Sequence, residues 1–139
     1  MKKVMVFGAF DGLHPGHLNF FKQAKEFGDF LIVSVARDVN VKKTKGKTPL
    51  FGEEERLKLV ENLKIVDKAT IGAVHDYFVH IQMYNPDVIC LGYDQWPSEK
   101  YVRENLDKVG LFKTEVVRLE PYKPKTAKST IVKEKSVDY

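Results

Sequence analysis

The sequence predicts a doubly wound α/β fold, a five-stranded parallel sheet flanked by helices. Three observations carry that prediction. Short runs of β-branched and apolar residues recur five times, each bounded by Gly, Asp or Pro. Between the runs, apolar residues fall at helical spacing. Two of the runs, DFLIVSVA and DVICLG, are apolar almost throughout, as expected of strands covered by helices on both faces.

The first strand spans 4–7, Val4-Met5-Val6-Phe7, and ends at Gly8. Leu18, Phe21 and Ala24 give the next stretch one apolar stripe, and its helix begins near Pro15 to His17 because proline suits a first turn. A second strand spans 30–36, and 37–52 reads as a loop leading into a helix that carries Leu57, Val60 and Leu63. Strand three spans 69–71. The helix after it carries Phe78, Ile81 and either Met83 or Tyr84. Strands four and five span 87–91 and 114–119, and the alternation implies a helix between them. Ligands of such sheets bind outside the carboxyl ends of the strands. Function is therefore expected in loops 8–16, 37–52, 72–76 and 92–98.

The 139 residues suit one domain over 1–139, and a composition of 43% hydrophobic and 30% charged residues is enough for a proper core. No apolar run approaches the roughly 20 residues that span a bilayer, and Lys2-Lys3 leads straight into the first strand without a cleavage site. The expectation is a cytoplasmic protein with no membrane partner. The one cysteine, Cys90, sits in the apolar run Val88-Ile89-Cys90-Leu91 and is expected as a small buried hydrophobe. A net charge of +4 favours anionic ligands but is too small an excess for a nucleic-acid partner. After Pro121 the chain turns basic and polar, so 121–139 reads as a tail or a lid.

The densest chemistry lies in Gly8-Ala9-Phe10-Asp11-Gly12-Leu13-His14-Pro15-Gly16-His17. A helix start leaves N–H groups unpaired and carries about half a positive charge, which attracts phosphate. His14 and His17 flank that start, while Gly8, Gly12 and Gly16 permit a tight turn and a close approach of ligand to backbone. Two other readings remain at this point: a metal pair completed by Asp11, or histidines with a purely structural role. The glycines are spaced by four, which does not fit the dinucleotide fingerprint G-x-G-x-x-G.

Elsewhere, Gly46-Lys47-Thr48 looks like the tail of a P-loop, but Val41 stands where that motif needs its first glycine and Pro49 follows at once. The P-loop is rejected. The same loop holds Lys42, Lys43 and Lys45, either a solvated charge run or a clamp on a polyphosphate, with Arg56 in the helix beyond. At the end of strand four, Gly92 leads into Asp94, Gln95 and Trp96, polar groups and a ring able to face a ribose or base. Ser129 and Thr130 would cap a short helix, a second place for phosphate.

Taken together, these motifs resemble the HxGH nucleotidyltransferase superfamily, whose cytidylyltransferase-like fold is Rossmann-like. Its opening motif G-T-F-D-x-x-H-x-G-H matches 8–17, with Ala9 where the motif has threonine. The similarity runs on through the lysine loop and Glu55-Arg56 to Ser129-Thr130-Ile131, nearly the whole chain. Val35-Ala36-Arg37-Asp38, the lysine loop, Val66-Asp67-Lys68-Ala69, Pro86-Asp87 and the stretch 91–95 are most similar to archaeal-type FAD synthases. Glycerol-3-phosphate cytidylyltransferases are the next match. They have G-D-D-W where this chain has Gly92-Tyr93-Asp94-Gln95-Trp96.

The resemblance implies transfer of AMP from ATP to FMN with release of pyrophosphate, Mg²⁺ accompanying the nucleotide and no tightly bound cofactor. The alternatives are a cytidylyltransferase using CTP and an alcohol phosphate, or a nucleotide-binding module without turnover. It implies that His14, His17, Lys43 and Arg56 act on the phosphates. Gly8, Ala9, Phe10, Asp11, Gly16, Lys42, Lys45, Gly92, Asp94, Gln95, Ser129 and Thr130 would bind the nucleotide. A homodimer is the expected assembly, with no residue acting as a metal ligand.

Overall fold

The computed structural model describes residues 1–122. The elements are β1 (Lys3–Gly8), α1 (Pro15–Lys25), β2 (Phe30–Val35), α2 (Asp38–Lys45), α3 (Glu53–Glu61), β3 (Lys68–Ile71), α4 (Tyr77–Tyr84), β4 (Val88–Leu91), α5 (Glu99–Lys108) and β5 (Glu115–Arg118). All five strands are parallel, in the order β3-β2-β1-β4-β5. The chain starts in the middle of the sheet, winds out to one edge, and then returns to build the other half from β4. The order thus reverses between β1 and β4, and a crevice opens at such a switch point.

Alternate residues of the central strands serve opposite faces, as the pleat requires. Val4, Val6, Leu31, Val33 and Cys90 pack with Phe21 and Ala24 of α1 and Val60 of α3. Met5, Ile32, Ile89 and Leu91 pack with Ile81 of α4 and with Val102 and Leu106 of α5. Cys90 is buried as expected, and desolvation pushes its thiol up to about 12.

Each predicted strand is present, with ends shifted by no more than a residue or two. Two local expectations are corrected and one open alternative is decided. The loop over 37–52 contains α2, whose single buried residue, Val41, gives no apolar stripe to read. Its other signals are Asp38 in the first turn and Gly46 at φ 77 closing the helix in the left-handed region. On α1 the inward side is His17, Phe20, Phe21 and Ala24, whereas Leu18 is exposed. Of Met83 and Tyr84, the tyrosine turns inward and Met83 lies in solvent. The Ser129–Thr130 cap and the lid lie outside the described residues. Among those described, no helix is long and apolar enough to cross a membrane.

Candidate active site

The β1–α1 loop is shaped by a ring folded back under it. Phe10 takes φ 52, a left-handed backbone uncommon for a residue with a side chain. Its ring packs 5.1 Å from that of Phe21 and meets His17 edge-on at 5.5 Å. Gly8 makes the fold-back possible, since a Cβ there would lie 2.7 Å from Phe10 Cζ. Phe10 was expected against the nucleotide and is instead fully buried core that supports His17 from below.

His14 is the N-cap of α1, and its Nδ1 accepts from the Gly16 N–H at 3.1 Å. His17 reaches back in the same way, its Nδ1 accepting from the His14 N–H at 3.3 Å. The arrangement is a capping box built from two imidazoles. The rings stack with centroids 3.8 Å apart and planes 25° from parallel. Each Nδ1 acts as acceptor, so each neutral ring carries its proton on Nε2 and presents an N–H donor there. Pro15 and Gly16 fill the first turn, which adds the positive end of the helix dipole.

Across the crevice stands the β4–α5 loop. Gly16 and Asn19 of α1 line one hollow with Gly92, Tyr93, Asp94 and, from beyond β5, Tyr122. Desolvation raises the Asp94 carboxyl above its ordinary value, against the opposing charges of Arg118 and Lys45. The charge of Lys45, in the last turn of α2, is thus felt at Asp94, while Lys42 and Lys43 are exposed on the same helix. Gln95, expected to face the base, spends its amide on the backbone. Its Oε1 accepts from the Gly92 N–H at 2.7 Å and its Nε2 donates to the Phe7 carbonyl at 2.8 Å.

Two charged residues, Arg56 expected at the phosphates and Asp11 expected to bind the nucleotide, hold loops together. Arg56 has no exposed side-chain surface. It donates from Nε to the Phe51 carbonyl, from Nη1 to the Ala9 carbonyl and from Nη2 to Asp38 Oδ1, at 2.9, 2.8 and 2.7 Å. Asp11 accepts from the Leu50 and Phe51 N–H groups at 2.7 and 2.9 Å. Both Asp11 oxygens are thus turned to the backbone at 50–51. The described residues contain no group of three His, Cys, Asp or Glu side chains able to hold an ion.

Arg118, inside a predicted strand, and Asp38, inside a predicted loop, hold the site's loops in ways the sequence does not announce. A charged side chain ending a strand at the ligand edge was the available signal for Arg118.

Comparison with known proteins agrees with this geometry. A family model described as cytidylyltransferase-like matches residues 5–135. The FAD synthase of Ferroglobus placidus is 51% identical over 119 residues, 86% of this chain and 76% of its own. The FAD synthase of Thermoplasma acidophilum is 39% identical over 138 residues, covering 99% of this chain and 96% of its own. The crystal structure of the lipopolysaccharide core biosynthesis protein from Thermoplasma volcanium superposes with a TM-score of 0.82 at 40% identity, covering 88% of this chain and 98% of that one. With its paired-histidine helix start, its switch-point crevice and these relatives, the chain belongs to the cytidylyltransferase-like family.

Proposed function

We propose that the protein is an FAD synthase, transferring AMP from ATP to the phosphate of FMN and releasing pyrophosphate. The observation that carries this reading is the pair of stacked imidazoles at the start of α1, each accepting a backbone N–H at Nδ1 so that its proton sits on Nε2. Such a pair suits phosphate oxygens.

In the proposed reaction a phosphate oxygen of FMN attacks the α-phosphorus of ATP in line. The bond from that phosphorus to the bridging oxygen of the β-phosphate breaks, and its electron pair leaves with pyrophosphate. The attacking oxygen is already anionic, so no general base is required, and positioning plus charge neutralisation carries the rate. His14 and His17 donate to oxygens of the transferred and leaving phosphates. The positive end of α1 adds to them. Lys45 and its exposed neighbours Lys42 and Lys43 offset the triphosphate charge from α2. Asp94 faces ribose and base from the β4–α5 loop, with Gly16 and Gly92 lining the same hollow. Ser129 and Thr130 are assigned to pyrophosphate by their place in the family motif. Mg²⁺ enters with ATP as part of the substrate.

A panel of ATP and CTP crossed with FMN, glycerol 3-phosphate and sugar phosphates, read by product mass, tests this. A product of FAD mass is expected. Exclusive formation of a CDP-alcohol or a nucleotide sugar overturns it. A cytoplasmic homodimer belongs to the same reading, and sedimentation of the purified protein measures the second part.

A further inference from the structure

The β4–α5 loop has no regular structure, yet one side chain from the neighbouring strand holds most of it. Arg118 ends β5 opposite Leu91 in the ladder. Its Nη1 donates to the Gly92 and Gln95 carbonyls at 2.7 and 2.9 Å, and its Nη2 to the Pro97 carbonyl at 2.7 Å. Nε and Nη2 both reach Glu99 Oε1, at the start of α5. Arg118's hydrogen bond to Glu99 holds that carboxyl below its ordinary value. Gln95 pins the loop from within through Gly92 and Phe7. Tyr93 and Asp94 sit in the turn and line the hollow with Gly16 and Asn19.

We propose that Arg118 is a positioning residue for nucleotide recognition, fixing three loop carbonyls so that Tyr93 and Asp94 stand ready to read the ribose and base. The inference rests on the proposed function only in placing the nucleotide in this hollow. The fork of a guanidinium reaches several acceptors in one plane, which an ammonium cannot do. A loop held before ligand arrives does not pay its ordering entropy on binding. Three of its four acceptors are carbonyls of the loop itself, and beyond the bond to Glu99 the helix α5 is also held by its Ser98 cap and by buried Val102 and Leu106.

The test compares wild type with Arg118→Met, Arg118→Lys and Glu99→Gln. Calorimetric binding of Mg·ATP, Mg·CTP and FMN is measured beside KM values and melting temperature. Arg118→Met should weaken ATP binding on the order of tenfold while FMN binding stays within about twofold, with the ratio of the two nucleotide affinities moving toward one. Arg118→Lys should recover only part of the loss. Glu99→Gln, at a more exposed position, should move in the same direction by less, and it decides the matter if the Arg118 variants do not fold. Parallel loss of ATP and FMN affinity with a falling melting temperature overturns the proposal, as does unchanged ATP binding. A wild-type protein that binds Mg·ATP but forms no FAD overturns the activity alone. One that binds neither nucleotide overturns both.

Discussion

Arg56 and Ala9 lie 47 positions apart in the chain and are joined by a 2.8 Å hydrogen bond from Nη1 to the carbonyl. With its partners Phe51 and Asp38, this one side chain ties the histidine loop to the start of α2 and to the segment that joins α2 to α3. Arg56→Met leaves two carbonyls and a carboxylate without their donor. The loss expected on breaking a buried pair is about 3 to 5 kcal/mol, toward the lower figure here because Asp38 is 41% exposed and can rehydrate. Chemical denaturation measures it. Arg56→Lys should restore little, since a single ammonium cannot meet three divergent acceptors. Full stability with lost turnover would instead return Arg56 to the phosphates.

Gly8 and Phe10 make a second coupled pair. A methyl group at position 8 would sit 2.7 Å from Phe10 Cζ, and the ring is wedged among Phe20, Phe21 and His17. Gly8→Ala should therefore destabilise by about 1 to 3 kcal/mol, the range for overpacking. Phe10→Leu removes the obstructing ring edge. In the double variant the losses should be clearly less than additive, which a double-mutant cycle reads directly. Simple additivity would show that the glycine serves its backbone alone.

The sheet and the histidine seat were legible because both are written locally. β1 and β4 are continuous apolar runs, and His14, Pro15, Gly16 and His17 are neighbours in the chain. Arg56, Gln95 and Arg118 were misread or missed for the opposite reason. Most of their acceptors are backbone carbonyls, up to 88 positions away, and a carbonyl leaves no trace in residue identity. Helix α2 escaped because only Val41 faces the core, so periodicity had nothing to report. Phe10 sat inside a ligand motif and was assigned to the ligand, although its left-handed backbone turns it inward.

His80 gives stability a dependence on pH. Desolvation first, and the nearby charge of Arg37 second, lower its pKa from the ordinary value of 6.5. Its Nε2 stands 3.3 Å from Ser34 Oγ, and its ring meets Tyr84 edge-on at 5.3 Å. Well above pH 6.5 the ring is neutral both folded and unfolded, so its contribution is fully present. As the pH falls below that value the unfolded chain takes up the proton first, and stability drops until the folded-state pKa is passed. Melting temperatures at about pH 7.5 and 5.5, on either side of the ordinary histidine pKa, should differ more in wild type than in His80→Gln. An equal difference in both would assign the acid sensitivity to other groups.

The two nitrogens of His17 perform separable tasks, and substitution can part them. Nδ1 accepts from the His14 N–H and so keeps the start of α1 in shape, while Nε2 is the donor proposed for the phosphates. Asparagine places an amide oxygen near the position of Nδ1 but does not reach that of Nε2. His17→Asn should thus retain the helix start and lose the donor. Removing one preorganised donor costs about 3 kcal/mol in the barrier, or roughly a hundredfold in rate. Glutamine reaches further, and its amide N–H can stand near Nε2 at the expense of the cap. His17→Gln should therefore recover part of the rate while melting lower than His17→Asn. Turnover in His17→Asn close to wild type, with an intact melting transition, would remove His17 from the reaction and leave it as a helix cap stacked on His14.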